Sequence, residues 1–132
     1  MIVVDTNILV RFTIRDDEIQ FKRSERLLRE SETLLLPSTL MEFEWVVRSL
    51  YSIARAEIAA AMLGICGLPK VNLDEGDVIE RAIQAYAGGL DLADAIFILQ
   101  AEARGVGRFA TFDKQLIKRC ARISKIVEAV SP

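Results

Sequence analysis

Asp5, Glu42, Asp94 and Asp113 are the side chains through which this chain could do chemistry. No histidine occurs in its 132 residues, which removes the commonest general base and the commonest soft-metal ligand, so catalysis must rest on carboxylates, lysines or hydroxyls. Several ionised carboxylates brought within a few ångströms repel one another, and burial worsens the repulsion, so such a cluster needs protons or a cation. With oxygen donors only, the expected cation is hard: Mg²⁺, with Mn²⁺ as a substitute. A site of that kind suits phosphodiesters, because the metal neutralises phosphate oxygens and lowers the pKa of a bound water, with no covalent nucleophile required. Thr6, Asn7 and Thr111 are short polar groups able to orient ligands or water, although turn and strand preferences explain them equally well. Cys66 and Cys120 have no C-x-x-C spacing and no histidine to join them, which argues against a zinc site or a thiol nucleophile.

Those acids have to be carried by definite elements. The run Ile2–Val4 predicts a strand buried on both faces, with Thr6 or Asn7 capping a helix through Phe12. Asp5 then stands at the C-terminal end of a strand, where parallel sheets bind ligands. Asp16 to Glu32 has the spacing of an amphipathic helix, and Thr33–Leu36 predicts a second strand closed by Pro37. Ser38 or Thr39 starts a helix with Glu42 in its first turn, and Arg55 to Leu63 predicts another, ended by Gly64 and Gly67. Further on come a short extended piece at Val71–Leu73, a helix from Glu75 to Ala87, and a nearly all-apolar helix from Leu92 to Arg104. A strand at Arg108–Thr111, a helix opened by Asp113 and an edge strand within Lys125–Val130 complete the chain.

Strands alternating with helices predict an α/β fold, a three-layer α/β/α sandwich around a central parallel sheet of about four to five strands. A helix over residues 93–104 descends about 16 Å at about 1.5 Å per residue. The strand after it climbs back by about 3.3 Å per residue, a similar distance, which returns Asp113 to the level of Asp94. All four acids are therefore expected at the C-terminal edge of one sheet. Each also has a local explanation: Thr39-x-x-Glu42 matches a capping box, Asp91 can cap a helix with Asp94 favoured in its first turn, and Asp113 can cap the last helix.

With 52% hydrophobic and 27% charged residues the chain can fill the core of one domain without disulfides or metals. Its apolar runs fall far short of the roughly 18 residues of a membrane span, and Asp5 interrupts the N-terminus where a signal peptide would need an unbroken apolar core. A soluble, cytoplasmic protein with no membrane partner is the expectation. Charge is uneven: residues 56–103 are acidic apart from Lys70 and Arg81, whereas residues 104–125 carry seven bases from Arg104 to Lys125 against Asp113 alone. That tail permits an anionic partner, with its bases on the phosphate backbone, and a solvated helix face would look the same. GVGRFA at 105–110 runs from helix into strand, the reverse of a dinucleotide fingerprint. Asp5-x-Asn7 lacks the second aspartate of the aspartyl phosphatases.

VDTNILV at 4–10, the helix start bearing Glu42, GLDLADAIFI at 89–98 and ATFDKQL at 110–116, in that order and spacing, resemble the PIN-domain nucleases, and within them the VapC-type toxins of toxin–antitoxin pairs. The resemblance spans nearly the whole chain and implies a single PIN domain over residues 1–132. It implies an endoribonuclease whose Mg²⁺ site is formed by Asp5, Glu42, Asp94 and Asp113, with Asn7 and Thr111 at supporting positions. It further implies a homodimer and inhibition by a cognate antitoxin whose C-terminal segment lies across the active-site groove. Exposed apolar residues between Ile8 and Tyr51 are the candidate dimer seam or antitoxin groove. The weaker matches fall between Tyr51 and Ala87, so the RNA that is cut stays open. The alternative is a catalytically silent PIN-like module that grips RNA or a partner protein.

Overall fold

Three short apolar runs, Ile2–Val3 (β1), Thr33–Leu35 (β2) and Val71–Leu73 (β3), pair in parallel in that order in the computed structural model, which describes residues 1–132. Ile2 lies opposite Thr33 and Leu34 opposite Asn72. Parallel neighbours cannot be joined by a tight turn. Each gap is bridged by two helices: α1 (Thr6–Thr13) and α2 (Glu18–Glu30), then α3 (Pro37–Tyr51) and α4 (Arg55–Cys66). These elements make up one unit, Met1–Gly76. Leu9, Leu28, Leu35, Leu40, Phe43 and Met62 are fully buried in it, and burying such side chains contributes about 1.5–3 kcal/mol each.

The second unit, Asp77–Pro132, holds α5 (from Gly76 to Ala87), α6 (Leu92–Ala103), β4 (Arg108–Ala110), α7 (Lys114–Arg119), one 3₁₀ turn and β5 (Glu128–Val130). β4 and β5 pair in parallel, Arg108 opposite Glu128. Ile79, Ile83, Leu92, Ile96, Ile98 and Leu99 are among its buried residues. Phe97 and Phe109 stack with ring centroids 6.4 Å apart, tying α6 to β4. Cys120 is buried and its thiol donates to the Val127 carbonyl at 3.2 Å; burial pushes that thiol up and so disfavours the thiolate that nucleophilic attack needs.

The expected single sheet of four to five strands is divided into a three-stranded and a two-stranded one. Period and composition report that strands exist and run parallel, but pairing among strands of two or three residues is decided by tertiary packing. β1 is not buried on both faces: Ile2 and Val3, which point to opposite faces, are 47% and 55% exposed. The helix expected to start at Ser38 or Thr39 starts at Pro37, since a proline at the first helical position needs no N–H partner. Leu36 is therefore the N-cap, and the Thr39–Glu42 capping box does not form. α4 runs through Gly64 to Cys66, the buried Met62 and Ile65 outweighing a glycine cost of about 1 kcal/mol.

Within the second unit a charged clamp fastens α5, α6 and the loop into β5. Arg81 donates to both Glu102 oxygens and to the Ile123 carbonyl, and the Ser124 hydroxyl donates to Glu102 Oε1 at 2.7 Å while accepting from the Ile126 and Val127 amides. Arg81, and then Ser124, hold the Glu102 carboxyl below its ordinary 4.5. A depressed folded value contributes stability above the unfolded value that is lost as pH falls through the folded one. Glu102→Gln should cost about 1.5–3 kcal/mol at pH 7. Urea denaturation should show the variant and wild type converging only below pH 4.5; an equal gap at pH 7 and in strong acid would refute the clamp.

Candidate functional site

In the first unit two of the acids border one cavity of about 340 Å³, with Thr6, Ser38 and Thr39 in its wall. Asp5 lies two residues beyond the end of β1 and caps α1, its Oδ1 accepting from the Thr6 amide at 2.8 Å. The cap is thus Asp5 itself rather than Thr6 or Asn7. Oδ2 of Asp5 carries no hydrogen bond. Glu42 stands in the second turn of α3, one helix start beyond β2, exposed and without a hydrogen bond or ion pair. With the capping box gone, nothing local in the fold uses its carboxylate. Thr6 is buried in this wall. Asn7 lies elsewhere, on a cavity between α1 and α2.

The second unit holds the other two acids in a smaller cavity of about 150 Å³, together with Asp91, Gln115 and Arg119. The chain reaches α6 through Gly89, whose φ of 103° suits only glycine. Asp91 caps α6 by accepting from the Asp94 amide at 2.9 Å, leaving the Asp94 side chain free in the first turn. Asp113 caps α7, with Oδ1 accepting from the Gln115 and Leu116 amides at 2.9 and 3.2 Å. The Thr111 hydroxyl accepts from the Asp113 amide at 3.0 Å and so fixes the turn that aims this carboxylate.

Burial, then the charges of Asp91 and Asp113, push the Asp94 carboxyl above its ordinary range. Three carboxylates crowd there against one lining cation, Arg119, so bringing in positive charge would relieve the repulsion. In the same unit Arg108, Lys114, Lys118, Arg119, Arg122 and Lys125 all stand exposed, positive charge accessible to an anionic partner.

Each unit holds two of the acids: Asp5 and Glu42 lie beyond the ends of β1 and β2, Asp113 lies beyond the end of β4, and Asp94 stands in the first turn of α6. In neither unit does a group of three or more Asp, Glu or Cys side chains form a ready-made metal cage. The donors present are oxygens, with the buried thiol of Cys120 already engaged, and Asp5 and Asp113 each keep Oδ2 unbonded after capping. That donor set fits Mg²⁺ or Mn²⁺ and not a soft metal. Ser38 and Asp91 share these cavities although only their helix-start roles were read from the sequence. Asp91 had a usable signal: three residues before Asp94, it falls at the same end of the same helix.

In each unit carboxylates with a hydroxyl nearby lie beyond the C-terminal ends of parallel strands, the edge at which α/β proteins bind ligands. The chain belongs to the PIN domain family, whose model matches residues 2–122 and so takes in all four acids. PIN domains are typically nucleases, which makes this chain a hydrolase at the coarse level, and they usually use divalent metal ions. No curated protein and no solved structure matches the chain. No helix is long and apolar enough to cross a membrane.

Proposed function

We propose that the chain is a single PIN domain acting as a Mg²⁺-dependent endoribonuclease, the toxin of a toxin–antitoxin pair of VapC type, working in the cytoplasm. The observation that carries the reading is the crowding of Asp94 against Asp91 and Asp113, three carboxylates faced by the single lining cation Arg119. Asp5, Glu42, Asp94 and Asp113 are the proposed metal ligands. When bound, the ion would shield the phosphodiester oxygens and activate water for in-line attack. The chain's own groups do the rest. The cap hydrogen bonds fix the rotamers of Asp5 and Asp113, Thr111 holds the Asp113 turn, and the exposed bases from Arg104 to Lys125 draw in the RNA backbone. A homodimer and a cognate antitoxin belong to the same proposal, supported by Ile19, Trp45 and Leu50, which leave 74%, 55% and 68% of their surface uncovered.

Purified protein incubated with total RNA should cut it in Mg²⁺, stop on chelation and resume with Mn²⁺. Cutting that survives the chelator removes the metal mechanism. RNA binding without cutting under every metal condition would instead identify a silent module.

A further inference from the structure

A cavity of about 400 Å³ lies in the first unit between α1 and α2 and takes in neither Asp5 nor Glu42. Its size falls in the roughly 300–1,000 Å³ range of small-molecule sites. Ile8 and Leu27 give it an apolar wall, while Asn7, Gln20, Arg23 and Arg11 bring polar groups to it. Three of those four are unengaged: the side chains of Asn7, Gln20 and Arg23 make no hydrogen bond or ion pair, although each is a strong donor. Arg11 differs, since its Nη1 is held on Asp16 at 2.8 Å, which fixes the guanidinium plane. No acid lines the cavity.

This combination matches one nucleotide better than a purely apolar guest. A flat base can stack on an immobilised guanidinium, two amides can read its edge, and a free arginine can take a phosphate. Asn7 stands two residues after Asp5, so the cavity and that carboxylate share one helix start. We propose that the α1–α2 cavity receives a single unstacked nucleotide of the RNA, with Arg11 as stacking platform, Gln20 and Asn7 as readers of the base edge and Arg23 as phosphate contact. The proposal rests on the RNA reading above, but binding here needs neither metal nor cleavage.

The test is titration of the full-length ¹⁵N-labelled protein with each of the four ribonucleoside 5′-monophosphates, in chelator, followed by amide chemical shifts. Shifts are expected at Asn7, Arg11, Gln20, Arg23 and Ser24, with one base preferred and with inorganic phosphate far weaker. Arg23→Ala should weaken binding about tenfold, the loss of one charge-assisted hydrogen bond. Gln20→Ala should change the order of base preference. Arg26→Ala, on the same helix but outside the cavity and paired with Glu30, should leave binding unchanged. Shifts confined to other residues, or equal losses for Arg23→Ala and Arg26→Ala, overturn the proposal. So does an anionic peptide that moves these amides when no mononucleotide does. An active nuclease whose cavity ignores nucleotides would sink this pocket alone, and a pocket that binds nucleotides in a protein unable to cut RNA would sink the nuclease reading alone.

Discussion

Replacing Asp94 by Asn is expected to abolish cleavage and stabilise the metal-free protein at once. Substituting partners that merely support metal ligands already costs about 10- to 100-fold, so loss of a ligand should cost about 100-fold or more. The stability gain follows from the crowding. The Asp94 carboxyl is raised above its ordinary 3.8 by burial and by Asp91 and Asp113. A raised folded value means that Asp94 contributes stability below the unfolded value and that this contribution is lost as pH rises through the folded one. At pH 7 the ionised carboxylate is therefore a burden that an amide does not carry, and the variant should gain on the order of 1 kcal/mol. Mg²⁺ should reverse the order, since only a protein that binds the ion is stabilised by it. Thermal denaturation with and without Mg²⁺, run beside an RNA assay, reads all three effects. An Asp94→Asn protein that cuts normally, or one that Mg²⁺ stabilises as much as wild type, would remove Asp94 from the site.

Ile96→Ala should be among the most destabilising single changes in the second unit. Ile96 is fully buried on α6, two residues beyond Asp94. Deleting its outer carbons loses transfer free energy and leaves a cavity, together about 2–5 kcal/mol. In a domain of this size that lowers the melting midpoint by roughly 10 °C or more. Ile96→Val should cost only about 0.5–1.5 kcal/mol. If urea denaturation gives the two variants the same loss, Ile96 is not packed as the fold requires.

Much of this fold could be read from residue pattern, and the departures have physical causes. The buried helix was legible because Leu92, Ala95, Ile96, Ile98 and Leu99 leave it almost no polar face, and those side chains are indeed buried. Strand positions at Thr33–Leu35 and Val71–Leu73 were legible from short apolar runs between turn residues. The partition into two sheets was not, since nothing in a two- or three-residue strand specifies its neighbour. At the site, Asp91 and Asp113 turned out to be the caps their positions suggested, and Asp5 displaced Thr6 and Asn7 as the cap of α1. Glu42 was the reverse case: Pro37 advanced the helix start and left it without the local role its spacing offered. Asn7 was legible as polar, but the direction it faces depends on how α1 packs against α2, which no local pattern records.

Asp5 and Asp113 each spend one oxygen on a helix end and keep the other free. Asparagine serves as well as aspartate in that architectural task, so the chain could shed its acidity at both positions while its scaffold stayed whole. Maintenance of shape does not require those negative charges, which leaves both of them free for the work the protein performs.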